Sequence, residues 1–396
     1  LSFALAVALT VWTAIVAVIS LWALCEPIAR PLVRAVLDRV SPSEQLTALD
    51  PGPVSVLVLR PCAGRDADLE GNLRSLLDAR RDGLSVRCVL AVGSASDEAF
   101  VAAKQAAEWL RAHEIETELA LTEAVGPNHK VDQLARALAG RRASVVLVAD
   151  SDVDLRGVDL AALVAPLRAG DAACWASVAE RGASGALGDR ASVAILAGGL
   201  HGFALLSRLD PAGMVGKLFA VRADALENVG GFSTMTRFLG EDVELSRRLR
   251  AEGYAVRARE LGVFSSASGR TLASARDRYA RWMLVVRTQR GALMASYPLL
   301  FFAAPLQVLF AAAMAPSRPA WALVLALVAV GARVLVAIGA RRAARLSLTA
   351  RGALIDPWLG DAVLLSAWLR ALTLREVRWR GGVLRFDRAG LLVEAP

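Results

Sequence analysis

Two carboxylates one residue apart, Asp150 and Asp152, are the chain's first candidates for chemistry, and they stand in the stretch SVVLVADSDVD, residues 144–154. They close a run of consecutive apolar residues, 145–148, whose lack of alternation predicts a short strand buried on both faces. The carboxyl end of such a strand is where open α/β sheets bind ligands. Two Asp there, with a small residue between, can share a divalent cation, Mg2+ or Mn2+, against a diphosphate. Asp and Ser are also ordinary turn residues, so the stretch alone suits a polar turn as well. Asp154 lies outside the pair and reads as a turn residue.

Three more groups could take part. Gly240-Glu241-Asp242 opens a helix whose N-terminal dipole favours carboxylates; Asp242 there is either a plain cap or a general base within reach of a hydroxyl. Arg278 and Arg281 in RYARW lie three apart on one helix face, and guanidinium forks grip phosphate oxygens. The same helix, with Trp282, suits a membrane interface where Arg snorkels and Trp anchors. Gly126-Pro127-Asn128-His129-Lys130 turns into a helix with Lys130 at its mouth, a candidate anion site.

The elements that could position these groups come in regular order. Strand patterns at 54–59, 86–92 and 116–121 alternate with helix patterns at 69–80, 98–113 and 130–139. Beyond Asp154 come a helix at 159–168, strands at 172–178 and 217–221, a short helix at 223–229 and a helix at 243–251 ended by Gly253. Residues 182–202 show no clear pattern. The alternation predicts an α/β domain with a parallel sheet covered on both faces.

With 55% hydrophobic residues and a mean hydropathy of +0.45, the 396-residue chain is apolar for a soluble enzyme, and membrane segments are expected. Residues 1–25 are uncharged and long enough to span, and they lack the basic leader of a secretory signal, so they read as a retained anchor. Arg30, Arg34 and Arg39 in the linker 26–53 place the domain that follows on the cytoplasmic side. That domain is expected over 54–270, with an interfacial helix at 271–295 after it. Apolar runs 297–315 and 320–340 predict a membrane hairpin within 296–340, and an Arg-rich cytoplasmic tail occupies 341–396. In that tail, 354–374 is apolar but interrupted by Asp356, Pro357, Asp361 and Arg370, which favours an interfacial or re-entrant segment.

The net charge of +8 and pI near 10.0 suit an anionic membrane surface or phosphate ligands. No basic run is interleaved with aromatics, which argues against nucleic acid. Cys25, Cys62, Cys88 and Cys174 are scattered, with neither a zinc spacing nor a disulfide framework.

Taken in order, the four groups resemble the ceramide glucosyltransferase family, membrane-embedded inverting enzymes with a GT-A nucleotide-sugar fold. The chain is similar as well to a bacterial branch that acts in hopanoid lipid synthesis. The likeness runs through VSVLVLRPCAG, GPNHKVDQL, VADSDVD, GKLFAVRADALENVGGF, GEDVELSRRLRAEGY, RYARW and WRGGVLRF. It implies that Asp150 and Asp152 hold the metal and the sugar diphosphate, with Lys130 helping to bind the donor. Asp242 is then the catalytic base. Glu241, Arg278, Arg281 and Trp282 take the diphosphate and acceptor side. Where the family has an Asp that contacts uracil, this chain has Ser94, with Asp97 three residues on; either Asp97 makes that contact or the loop is rebuilt. The expected partners are a UDP-sugar, a ceramide-like or hopanoid lipid acceptor, and the bilayer. No second, nucleophilic carboxylate is apparent, which favours inversion in a single displacement. The alternatives are a polysaccharide synthase of the same fold, for which two clear spans make too small an export channel, and a non-catalytic membrane protein that binds nucleotide-sugar or lipid.

Overall fold

The computed structural model describes residues 2–24, 46–50, 52–66, 68–182, 184–198, 207, 210, 212–379, 382–387 and 390–394. Arg30, Arg34, Arg39 and Cys25 lie outside the described residues. In chain order the elements begin with α1 (Ser2–Leu24), β1 (Val54–Cys62), α2 (Leu69–Arg74), β2 (Leu84–Val92), α3 (Phe100–Ala112), β3 (Glu116–Leu121), α4 (His129–Leu138), β4 (Val145–Ala149) and β5 (Val153–Asp154). Next are α5 (Leu160–Arg168), β6 (Ala173–Gly182), α6 (Leu187–Gly198), β7 (Leu218–Arg222), α7 (Ala223–Asn228), a 3-10 turn (Phe232–Met235), α8 (Glu241–Ala251) and β8 (Val256–Ala267). The chain continues with α9 (Leu272–Gln289), α10 (Gly291–Phe301), α11 (Ala303–Met314), α12 (Pro319–Ala343), α13 (Ala350–Leu354), α14 (Asp356–Thr373), β9 (Glu376–Trp379), β10 (Gly382–Phe386) and β11 (Leu392–Glu394).

Two compact units result. One comprises Asp38–Val178, Asp210–Ser266 and Arg375–Pro396; the other comprises Leu1–Leu37, Ala179–Leu209 and Ala267–Leu374. The described residues of 184–198, within the expected 54–270 domain, group with the helices.

The first unit is built on a sheet of order β3-β2-β1-β4-β7-β6-β8-β5. β3, β2, β1 and β4 are parallel, as the alternating pattern predicts. The rest departs from the expected parallel sheet, because β7 runs antiparallel to β4 and β6 antiparallel to β7. Consecutive apolar residues signal burial on both faces and say nothing of strand direction. All of β4 is buried, and α3 lays Ala103, Ala106, Ala107 and Leu110 on the same core at helical spacing. Each fully buried Val or Leu there contributes roughly 1.5–3 kcal/mol, which anchors the strand whose tip is polar.

The second unit is helical. Two of its described helices, spanning Ala4–Trp22 and Pro319–Ala343, are long and apolar enough to cross a membrane. Val11, Val18, Leu323 and Leu327 are exposed on them, while Ala6, Ala311, Met314, Ala322 and Leu325 pack α1, α11 and α12 together. The predicted run 297–315 is not one helix but breaks at Phe302. Pro305 lacks an N–H and its ring excludes the carbonyl four residues earlier, so a new helix starts with Pro305 in its first turn. The interrupting charges of 354–374 find partners within this unit. Asp361 accepts from Arg333 of α12 at 2.8 and 2.9 Å, and Asp356 accepts from Arg190 of α6 at 3.0 Å.

Candidate active site

The reversed direction of β7 assembles the site. Ala149 at the end of β4 pairs with Leu218 at the start of β7, and the Asp150 N–H donates to the Lys217 carbonyl at 2.9 Å. The Lys217 ammonium therefore stands beside the polar tip of β4, where it pairs with Asp152. From the first turn of α4, Lys130 reaches Asp150 and Glu241 at 2.8 Å each and donates to the Gly216 carbonyl at 3.3 Å. Gly216 also donates its N–H to Asp242 Oδ2 at 2.5 Å, and Asp242 Oδ1 accepts from the Val243 N–H at 2.9 Å. A Cβ on Gly216 would lie 3.0 Å from that carboxylate's Cβ and Oδ2, so the position needs glycine for close approach.

Asn128 explains why the turn before α4 has its sequence. Its side chain caps the helix by accepting from the Val131 N–H at 3.3 Å and donates to the Phe238 carbonyl at 2.7 Å. The loop leading to Glu241 and Asp242 is thereby tied to the helix that carries Lys130.

Lys130 joins Asp150 to Glu241 and Lys217 pairs with Asp152, while Asp242 is held by backbone N–H groups, so carboxylates outnumber ammonium groups in the cluster. Burial pushes the Asp150 carboxyl up, Lys130 offsets part of that, and Asp152 adds to it. Burial pulls the Lys130 ammonium down, but Asp150 and Glu241 outweigh it and hold it above its usual range. Asp242 is pushed up to about 6 by burial and by the adjacent Glu241. Hard carboxylate oxygens in negative excess suit Mg2+ or Mn2+. Among the described residues no group of three or more His, Cys, Asp or Glu side chains could cage an ion, so Asp150 and Asp152 would fill only part of a coordination shell. Mg2+ commonly takes its remaining positions from water and substrate phosphates.

The remaining candidates are held by bonds of their own. Asp97 Oδ1 accepts from the N–H groups of Gly64 at 2.8 Å and Ala99 at 2.9 Å, tying the loop after β1 to the start of α3, and Ser94 bonds Ser96 at 2.9 Å. Asp154 pairs with Arg156 at 2.9 Å, in keeping with a turn. Arg278, Arg281 and Trp282 lie on α9 of the helical unit. There Arg278 donates to Glu180 at 2.6 Å and to Ser192 at 3.3 Å, and it stands 4.9 Å from the Trp282 ring centroid. Arg270 bonds the same Glu180 oxygen at 2.6 Å, and Glu180 is fully buried.

Lys217 and Glu180 are not among the residues that the sequence singles out. A signal for Lys217 exists in composition: lysine occurs only at 104, 130 and 217 in a chain with 46 Lys and Arg residues, and two of those three stand in this cluster. Glu180 comes after a buried strand without a motif of its own.

The profile of glycosyl transferase family 21 matches residues 6–392. Comparison with curated proteins gives no match. The chain is similar to the solved structure of mannosyltransferase PcManGT from Pyrobaculum calidifontis in complex with GDP-Man and Mn2+, at TM-score 0.50 and 19% identity over 94% of this chain and 99% of that one. It is also similar to glucosyl-3-phosphoglycerate synthase from Mycobacterium tuberculosis in complex with Mg2+ and UDP, at TM-score 0.34 and 18% identity over 58% of this chain and 78% of that one. The first likeness shows a GT-A fold.

Proposed function

The chain belongs to glycosyl transferase family 21, the ceramide glucosyltransferase family, and on that premise we propose that it moves a hexose from a UDP-sugar to the hydroxyl of a membrane lipid, with inversion and with help from a divalent metal. The observation that carries the reading is the lysine-bridged cluster in which Lys130 joins Asp150 to Glu241, Lys217 pairs with Asp152, and Asp242 hangs from Gly216. A sugar leaving its nucleotide develops negative charge on the diphosphate oxygen and positive charge on the anomeric carbon.

Asp150 and Asp152 would hold the metal, which when bound neutralises charge on the diphosphate as a Lewis acid. Lys130 and Lys217 carry compact ammonium groups on flexible stems, able to turn from carboxylate to phosphate as the donor enters. Asp242, with a value near 6, is ionised at neutral pH yet basic enough to take the acceptor hydroxyl's proton. Glu241 keeps Lys130 oriented beside that base. Asp97 shapes the nucleoside side through its hold on Gly64. By the family likeness Arg278, Arg281 and Trp282 serve the diphosphate. A lipid acceptor accords with the exposed apolar residues of α1 and α12.

The test is transfer from radiolabelled UDP-glucose or UDP-galactose, with GDP-mannose as the competing donor, into a polar lipid extract with Mn2+ present. The expected product is a chloroform-soluble lipid bearing one sugar, its anomeric configuration opposite to the donor's. Asp242→Asn should bind UDP as well as wild type does, while turnover falls by about 10²–10⁴. A polymeric product would replace the lipid reading with polysaccharide synthesis, and UDP binding without transfer to any acceptor would leave a non-catalytic protein.

A further inference from the structure

Arg60 lies on β1 and is fully buried among apolar neighbours such as Val58 and Leu59. A guanidinium there is costly unless its donors are satisfied, and the bonds it makes are informative. Nη2 donates to the carbonyls of Asp150 at 2.9 Å and Val153 at 2.8 Å, and Nη1 donates to the Asn72 carbonyl at 3.0 Å. The first two carbonyls bracket the Asp150-Ser151-Asp152 turn, which the Val153 N–H closes onto Asp150 at 3.1 Å. The third belongs to a short network. Ser75 donates to the same Asn72 carbonyl at 2.6 Å and accepts from the Leu155 N–H at 2.8 Å, so the segment leaving the turn is held as well. Ser151 adds a bond to Asp66 at 2.6 Å.

We propose that Arg60 is a positioning residue of the donor site: its Nη2 clamps both ends of the Asp150–Val153 turn, its Nη1 ties that turn to the Asn72 carbonyl, and the guanidinium places a fixed positive charge beneath two carboxylates that otherwise have movable ammonium partners. This rests on the reading of Asp150 and Asp152 as donor and metal ligands. A lysine in its place would keep the charge but could not hold the turn and the Asn72 carbonyl together through one rigid plane of donors. A group that fixes a metal's ligands from behind shows itself in ligand affinity more than in stability.

The experiment compares Arg60→Lys with wild type in three measurements. In calorimetry with Mn2+ and UDP, R60K should bind about tenfold to a hundredfold more weakly, the range for loss of an outer partner of a metal ligand. In thermal unfolding its midpoint should stay within a few degrees of wild type. Amides 150–155 should exchange hydrogen at least about tenfold faster, while amides of β2 and β3 are unchanged. Equal affinity in R60K and wild type overturns the proposal, and so does global unfolding of R60K, which would make Arg60 a core residue. Should wild type itself bind no UDP with Mn2+, the donor reading fails, and the exchange rates alone decide whether Arg60 holds the turn; unchanged rates overturn that role.

Discussion

Arg333 and Asp361 meet one to one, bidentate and both buried, whereas at the end of β4 three carboxylates share two ammonium groups and a fourth, Asp242, stands beside them. The first pair is closed: each guanidinium fork donor it uses has a carboxylate oxygen, so a ligand has nothing to gain there. It lets a charged α14 pack on an apolar α12. The second cluster has more carboxylates than ammonium groups, and its ammonium groups are lysines, whose single head can change partners more readily than a seated guanidinium. Balance marks the pair that holds helices together, and imbalance marks the cluster proposed above as the donor site.

Breaking the balanced pair should have the largest effect on the fold. Arg333→Met leaves Asp361 buried without its partner, and the expected loss is about 3–5 kcal/mol, read as a fall in the detergent-solubilised thermal midpoint. Arg333→Met with Asp361→Leu should recover most of it, since replacing both partners by apolar groups is often neutral. A double variant as unstable as the single one would mean that the charges serve something besides packing. Changing the unbalanced cluster should do the reverse. Lys217→Met should weaken UDP binding about tenfold, roughly 1.4 kcal/mol, with Mn2+ binding unchanged or tighter because a competing cation is gone. Its thermal midpoint should fall by less than that of Arg333→Met, because the Asp152 carboxylate left behind is more open to water than Asp361. Weaker Mn2+ binding in K217M would instead make the lysine part of the metal's support.

The sequence made the carboxylates of the open cluster legible because their signal is local. A continuous apolar run ends in Asp150 and Asp152, Gly240 precedes Glu241 and Asp242, and Lys130 comes after a capping turn. Lys217 was hidden, since its place depends on β7 running against β4, and a strand buried on both faces has the same apolar pattern in either direction. The balanced pair was half hidden for a related reason. Asp361 was visible as a charge in an apolar stretch, but its partner lies in another helix, and no local pattern links positions 333 and 361. Arg60 likewise reads as one polar residue inside VSVLVLRPC; only the folded contacts show it under the Asp150 turn.

The smallest expected effect sharpens the contrast from the side of pH. Asp242 carries a folded-state value of about 6, raised by burial first and by Glu241 next, against the lowering effects of Lys130 and two N–H donors. A carboxyl whose folded value exceeds its unfolded one takes up protons more readily when folded, so ionisation costs stability above pH about 6, and the cost fades as pH falls toward 4. Asp242→Asn removes the ionisation. It should therefore raise the thermal midpoint relative to wild type at pH 8, by on the order of 1 kcal/mol after solvent screening, with the gain shrinking toward pH 4. Wild-type turnover should move the opposite way, falling as pH drops through about 6 because a base must be ionised to act. Stability would then be lost over the same interval in which turnover is gained, as expected of a group kept for chemistry. A stability difference that stays flat from pH 4 to 8 would mean that Asp242 is comfortably ionised in the fold, and the case for it as the base would lose its electrostatic support.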